Sequence, residues 1–273
     1  MNLFEKQREV PLSVRMRPRN IDEFLGQEHI LGKNSLLAHA IKSDKIFSMI
    51  LFGPPGCGKT SLAYMIAKQT HSHFEKLSAV TSGIAELKKI MEEAECRWNL
   101  YSKKTILFID EIHRFNKLQQ DALLPFVEEG TIIFIGATTH NPFFSVIPAL
   151  VSRSQIFELK PLNSGDLKKL ISLSLEDKER GLGNLKIKLD EKAEEYLITN
   201  SNGDARKVLN ALENGALITI PDENGIINFT LEKAIESIQN RVVIYDRNEN
   251  GHYDTVSAFI KSMRQSNPDA ALL

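Results

Sequence analysis

The sequence predicts an α/β fold, a parallel sheet sandwiched between helices and followed by a helical lid. Three observations predict it. Strand–helix units fill the first 160 residues, helical patterns dominate after Pro161, and two of the strand-length apolar runs end in groups suited to phosphate chemistry.

Residues 1–20 are rich in charge and contain Pro11 and Pro18, which predicts an extended arm. Its arginines (Arg8, Arg15, Arg17, Arg19) form the densest basic cluster of the chain. Such a run fits a solvated terminus as well as contact with a nucleotide, a neighbouring subunit or nucleic-acid phosphates. A helix over 34–42 follows, with Leu36, Leu37, Ala40 and Ile41 at helical spacing. Residues 46–52 then form an apolar run of strand length. It leads into Gly53-Pro54-Pro55-Gly56-Cys57-Gly58-Lys59-Thr60, and a helix over 61–70 comes next. This is G-x-x-x-x-G-K-[ST] between a strand and a helix. Glycines let successive N–H groups face one anion, and the new helix adds the positive end of its dipole. Lys59 is placed to reach the β- and γ-phosphates, and the Thr60 hydroxyl to coordinate Mg²⁺. A chance Gly-rich turn would lack the flanking strand and helix in this order. The chain is expected to bind a nucleoside triphosphate.

A short strand over 74–77 and a helix over 84–98 (Ile84, Leu87, Ile90, Met91, Ala94) come next. The run from Thr105 to Ile109 reads as a strand buried on both faces of a parallel sheet. It ends in Asp110 and Glu111, at the edge where such sheets bind ligands. Taken alone, this also fits an ordinary strand ending in an acidic loop. Beside a phosphate loop, Asp110 is expected to hold Mg²⁺ through water, opposite Thr60, and Glu111 to polarise the attacking water. A helix over 116–129 should be kinked by Pro125. The strand over 131–137 ends in Thr138-Thr139-His140-Asn141-Pro142, which suits γ-phosphate sensing or a turn built on Asn-Pro. A short helix over 148–153 and a last strand over 156–159 complete the sheet. Helices over 164–180, 190–200, 203–218 and 230–241 form the lid, with a turn at 222–225. A polar linker over 246–251 and an amphipathic stretch over 253–263 end the chain.

With 34 basic and 35 acidic side chains, the net charge of -1 argues against coating nucleic acid by bulk electrostatics. Two cysteines, Cys57 and Cys96, make neither a disulfide framework nor a metal cluster, so a reduced interior is expected. The charged N-terminus lacks a signal-peptide pattern, and no apolar run is long enough to cross a bilayer. The chain is therefore expected to be cytoplasmic and nucleoid-associated, with no membrane partner.

Several strings together resemble one group of AAA+ ATPases. They are Pro11-Leu12-Ser13-Val14-Arg15-Met16-Arg17-Pro18, Gly26-Gln27-Glu28-His29, Asp110-Glu111-Ile112-His113-Arg114-Phe115-Asn116 and Gly136-Ala137-Thr138-Thr139. The group is the RarA/MgsA family of bacterial replication-associated recombination proteins, with the Werner-helicase-interacting ATPase as eukaryotic relative. The segment from Gly251 to Leu272 also resembles how that family continues after its lid. The resemblance implies the three-layer P-loop AAA+ sandwich over 21–160 and the helical lid over 161–241. It also implies that 242–273 begins an oligomerisation region in which this chain stops early. It places Gly26 and Ile30 at the adenine, Thr138 as first sensor with Thr139 or Asn141 sharing the role, and Arg153 as an arginine finger for the next subunit's ATP. Arg206 becomes the second sensor, closing the lid on its own subunit's γ-phosphate. His140 departs from the family, which has a glutamate there.

The function implied is a DNA-dependent ATPase with Mg²⁺ and ATP as cofactors, remodelling DNA gaps, ends or junctions. It would act as an oligomer, a tetramer in the family, alongside single-strand DNA-binding protein or replisome components. Two other readings share the motifs: a clamp-loader subunit or Holliday-junction branch-migration motor, and a nucleotide-gated binding module with little turnover. With aromatics at 7% of residues and no stacking platform evident, DNA contact is expected to come from Arg15, Arg17, Lys103, Lys104 and Lys117.

Overall fold

The computed structural model describes residues 10–238. Five strands form one parallel sheet: β1 (Met49–Phe52), β2 (His73–Ser78), β3 (Thr105–Asp110), β4 (Ile132–Thr138) and β5 (Gln155–Glu158). Their order is β2-β3-β4-β1-β5. Parallel neighbours need long crossovers, and the helices that provide them cover both faces. The consequence is visible in composition. Every residue of β4 is buried, as are the first five of β3, so these strands carry apolar side chains without alternation.

The two faces have separate cores, as the period-2 geometry of a strand requires. Ile106 and Phe108 of β3 meet Leu62 and Ile66 of helix Lys59–Gln69 on one face. Leu107 and Ile109 meet Leu87, Met91 and Ala94 of helix Ile84–Tyr101 on the other. The strand order sets the ends of β1, β3 and β4 side by side, with Phe52 opposite Thr138 and Ile109 opposite Gly136. That is what brings the phosphate loop, the two carboxylates and the threonine pair to one edge.

A third core forms where Leu167 and Ile171 of helix Ser164–Glu176 meet Leu197, Val208, Leu212 and Phe229. Helices Glu191–Ser201, Ala205–Ile218 and Leu231–Ser237 complete this region. It is not all-helical: β6 (Lys186–Leu189) and β7 (Ile226–Phe229) pair in parallel. The expected helix over 116–129 is not one kinked helix but two, Lys117–Asp121 and Leu124–Glu128. Pro125 sits in the first turn of the second helix, where its missing N–H costs nothing.

The N-terminal segment is docked rather than extended. Leu12–Arg15 makes a helical turn against the lid, and Leu12 is 0% exposed. The Leu12 N–H donates to Glu213 Oε2 at 2.9 Å, and the Arg15 guanidinium donates to Glu213 Oε1 at 2.9 Å and to the Arg180 carbonyl at 2.7 Å. Arg19 pairs with Glu179 and Glu23 with Arg180. Residues 1–9 with Arg8, the linker over 246–251, the stretch over 253–263 and the region over 242–273 lie outside the described residues. Among the described residues, no helix is long and apolar enough to cross a membrane.

Candidate nucleotide-binding site

The phosphate loop leaves β1 through three glycines at positive φ: Gly53 at 152°, Gly56 at 70° and Gly58 at 103°. The loop needs glycine for two reasons. Such φ values strain other residues, and a Cβ on Gly56 would collide with the Asp204 carboxylate while one on Gly58 would lie 2.8 Å from the Phe24 ring. Lys59 opens the helix and is 8% exposed. Its Nζ donates to the Gly53 carbonyl at 2.7 Å and the Pro54 carbonyl at 2.8 Å. Burial lowers the Lys59 amine from its ordinary range, and the charges of Cys57, Glu111 and Asp110 oppose that shift.

A cavity of about 500 Å³ lies over this loop. Pro55, Gly56, Cys57, Gly58, Lys59 and Thr60 line it, together with Asp110 and Glu111 from the end of β3 and Arg206 from the lid. Burial, then the neighbouring Asp110 charge, raises the Glu111 carboxyl. Asp204 caps the lid helix by accepting from the N–H groups of Arg206 and Lys207 at 2.8 and 3.0 Å. The Ala205 N–H reaches the Gly56 carbonyl at 3.3 Å, so the helix that carries Arg206 starts on the phosphate loop itself. Thr60 and Asp110 supply hard oxygen donors of the kind that suit Mg²⁺. Among the described residues, no group of three or more His, Cys, Asp or Glu could hold a metal ion.

Not every predicted residue joins the cavity. Gly53 and Pro54 serve it through their carbonyls, which hold Lys59. Thr138 is 0% exposed, and Thr139 lines the cavity in its place. The Thr138 hydroxyl accepts the His140 N–H at 3.0 Å and lies 2.9 Å from His113 Nδ1. Gly26 and Ile30 are not at the cavity wall either. Ile30 is packed in the sheet core, and Gly26 faces Leu162 and Asp166 at positive φ. The cavity is walled as well by Met16, Arg17, Pro18, Phe24 and Leu25, with Leu162, Leu170 and Leu209 of the lid, and the Phe24 ring lies against Gly58 of the phosphate loop. Arg153 lies elsewhere. It is exposed, with its guanidinium 2.7 Å from Glu128 Oε1 and donating to the Ala149 carbonyl at 2.9 Å.

Residues 49–162 match the family model for the ATPase family associated with various cellular activities (AAA), and residues 183–264 match the AAA C-terminal domain. The chain is 44% identical to "Replication-associated recombination protein A" of Escherichia coli (strain K12) over 262 residues, or 96% of this chain. The chain carries an AAA ATPase domain over residues 49–162. It spans 58% of that E. coli relative, and it is 38% identical to "ATPase WRNIP1" of Dictyostelium discoideum, of which it spans 32%. Among solved structures, this AAA chain resembles the Thermotoga maritima RuvB Holliday junction branch migration motor, with 26% identity and a TM-score of 0.61. The likeness covers 82% of this chain and 72% of that one.

Phe24, Leu25 and Met16 as cavity walls, and His113 and Asp204 as their neighbours, went unpredicted, whereas Thr139 had been named only as sharing the role of Thr138. For Phe24 and Met16, which approach the lid across more than a hundred residues of chain, there was no local signal. Arg15 and Arg17, expected at DNA, are engaged inside the molecule: Arg15 at Glu213, and Arg17 at the cavity wall with its guanidinium 5.2 Å from the Tyr64 ring centre. Lys103 and Lys117 are exposed, and Lys104 is partly covered.

Proposed function

We propose that this chain binds Mg·ATP and hydrolyses it, as the motor module of a protein that remodels DNA gaps, ends or junctions in replication-associated recombination. One observation carries the reading: Lys59, Thr60, Asp110, Glu111 and Arg206, from three separate parts of the chain, line one cavity. Lys59 and Arg206 supply fixed positive charge to the β- and γ-phosphates, and Arg206 can grip two oxygens at once. Thr60 and Asp110 would hold Mg²⁺, which would supply charge neutralisation at the transferred phosphoryl group. Glu111, whose carboxyl is pushed up by burial and by Asp110, accepts the proton of the attacking water. Met16, Phe24 and Leu25 form the apolar wall on which the adenine rests.

Arg153 does not line its own chain's cavity, so we assign it to a neighbouring subunit's ATP. A finger supplied in trans raises phosphoryl transfer by about 10³–10⁵. Hydrolysis should therefore grow with self-association. The DNA half of the proposal rests on the relatives named for replication-associated recombination, and within the chain on exposed lysines such as Lys103 and Lys117. Contact through such cations weakens steeply with salt. The test is ATP turnover measured without DNA and with gapped, forked and blunt duplexes, with Lys59→Ala as background. Stimulation by gapped or forked DNA is expected, and turnover indifferent to every DNA form would contradict the DNA half. The likeness to the RuvB motor favours one second reading, branch migration. Four-way junctions stimulating more strongly than gaps would support it.

A further inference from the structure

We propose that His113 is a positioning residue of this site, its Nδ1 hydrogen-bonded to the Thr138 hydroxyl and set against the Glu111 carboxylate. The inference rests on the reading of Glu111 as the base in ATP hydrolysis. His113 Nδ1 lies 3.3 Å from Glu111 Oε2 and 2.9 Å from Thr138 Oγ1. The ring does not line the nucleotide cavity, and its side chain is 6% exposed, so it can act only through its neighbours.

Local structure accounts for the placement. Glu111 leaves β3 in the left-handed region at φ 56°, a conformation uncommon for a residue with a side chain. The turn Ile112–Arg114 follows, closed by the Arg114 N–H donating to the Glu111 carbonyl at 2.8 Å and pinned by Ile112, which is 0% exposed. This folds His113 back over the carboxylate two residues before it. On its other side the ring stacks on His140, with centres 4.0 Å apart and planes 12° from parallel. His140 is itself fixed, because its N–H donates to Thr138 Oγ1 at 3.0 Å. The imidazole is therefore held by contacts from β3's end and from the turn after β4.

The chemistry selects one form of the ring. The Thr138 hydroxyl donates its own proton to the His140 carbonyl at 3.3 Å, so Nδ1 carries the proton in its bond to Thr138 Oγ1, and that N–H also faces the acceptor-only carboxylate of Glu111. Burial, then the charges of His140, Arg114 and Lys59, push the His113 ring down to about 4, which leaves it neutral near pH 7. A neutral Nδ1–H orients the carboxylate without cancelling the negative charge on which its basicity depends. Thr139 lines the cavity and is bonded directly to Thr138, so contact made by a γ-phosphate at Thr139 reaches Glu111 through the Thr138–His113 hydrogen bond and the close approach of His113 to the carboxylate.

The test compares wild type, His113→Ala and His113→Asn, the last keeping an N–H donor close to the Nδ1 position. Turnover of saturating Mg·ATP should fall roughly 10- to 100-fold in His113→Ala, the size of loss that a misplaced catalytic group produces. Affinity for a non-hydrolysable ATP analogue should stay within about twofold, and His113→Asn should regain most of the rate. Imidazole ¹⁵N shifts of the wild-type chain should show the neutral Nδ1–H tautomer, a readout that needs neither nucleotide nor turnover. If His113→Ala turns over like wild type, or if Nδ1 proves to be bare of its proton, the positioning role is overturned while the ATPase reading stands. Wild type that binds the analogue yet never turns over would overturn both. If His113→Ala does not fold, the rate of His113→Asn and the tautomer decide.

Discussion

Thr138 and Thr139 are adjacent, yet the fold gives them opposite tasks. Thr138 ends β4 inside the protein and spends its hydroxyl on His140 and His113, whereas Thr139 lines the nucleotide cavity. The sequence nominated the pair but favoured Thr138, because where a strand's alternation stops is set by its neighbours rather than by its own residues. Thr138→Val should leave buried partners unsatisfied and cost about 1–3 kcal/mol in a urea titration. Thr139→Val should leave stability within ~0.5 kcal/mol and lower turnover. Equal stability losses would contradict the assignment. His113 adds a pH signature. Its folded-state value, about 4, lies below the ordinary 6.5, so the unfolded chain binds the proton more readily between these values. Stability should therefore fall as pH drops from about 6.5 towards 4, and part of that slope should vanish in His113→Asn. Urea midpoints at pH 7 and pH 5 read this directly.

The elements most legible in the sequence were those whose environment is uniform. β1, β3 and β4 lie inside a parallel sheet, so unbroken apolar runs sufficed to find them. The phosphate loop and Asp110–Glu111 were readable because their chemistry is local, contained in consecutive residues between a strand and a helix. β6 and β7 were missed because four-residue strands such as Lys186-Ile187-Lys188-Leu189 are too short to establish a period against helical surroundings. Arg206 was accessible only through a family resemblance. Its placement depends on Asp204, whose carboxylate caps the helix and packs against Gly56. Asp204→Ala removes that cap and should cost about 1 kcal/mol, within a range of roughly 0.5–2. It should also weaken ATP binding, since the first turn that carries Arg206 frays. A thermal melt alongside nucleotide titration separates the two effects, and unchanged affinity would argue against the lid's part in the site.

At the level of the whole molecule, residues 12–25 belong to the lid and to the cavity together. Leu12 is buried in the helical core, Arg15 ties the segment to Glu213 and to the carbonyls of Arg180 and Gly181, and Met16, Arg17 and Phe24 wall the cavity. These contacts join residues about 165–200 apart in sequence, which is why composition alone suggested a loose arm. Leu12→Ala should destabilise the chain by about 2–5 kcal/mol, as expected for a fully buried leucine, and should loosen nucleotide binding with it. A change under ~0.5 kcal/mol would mean that the segment is peripheral. The central claim is that this cavity cleaves ATP through Glu111. Single-turnover hydrolysis of pre-bound Mg·ATP by wild type and Glu111→Gln tests it most directly. Both should bind alike while Glu111→Gln is slower by about 10²–10⁴-fold; equal rates in the two would rule out Glu111 as the base.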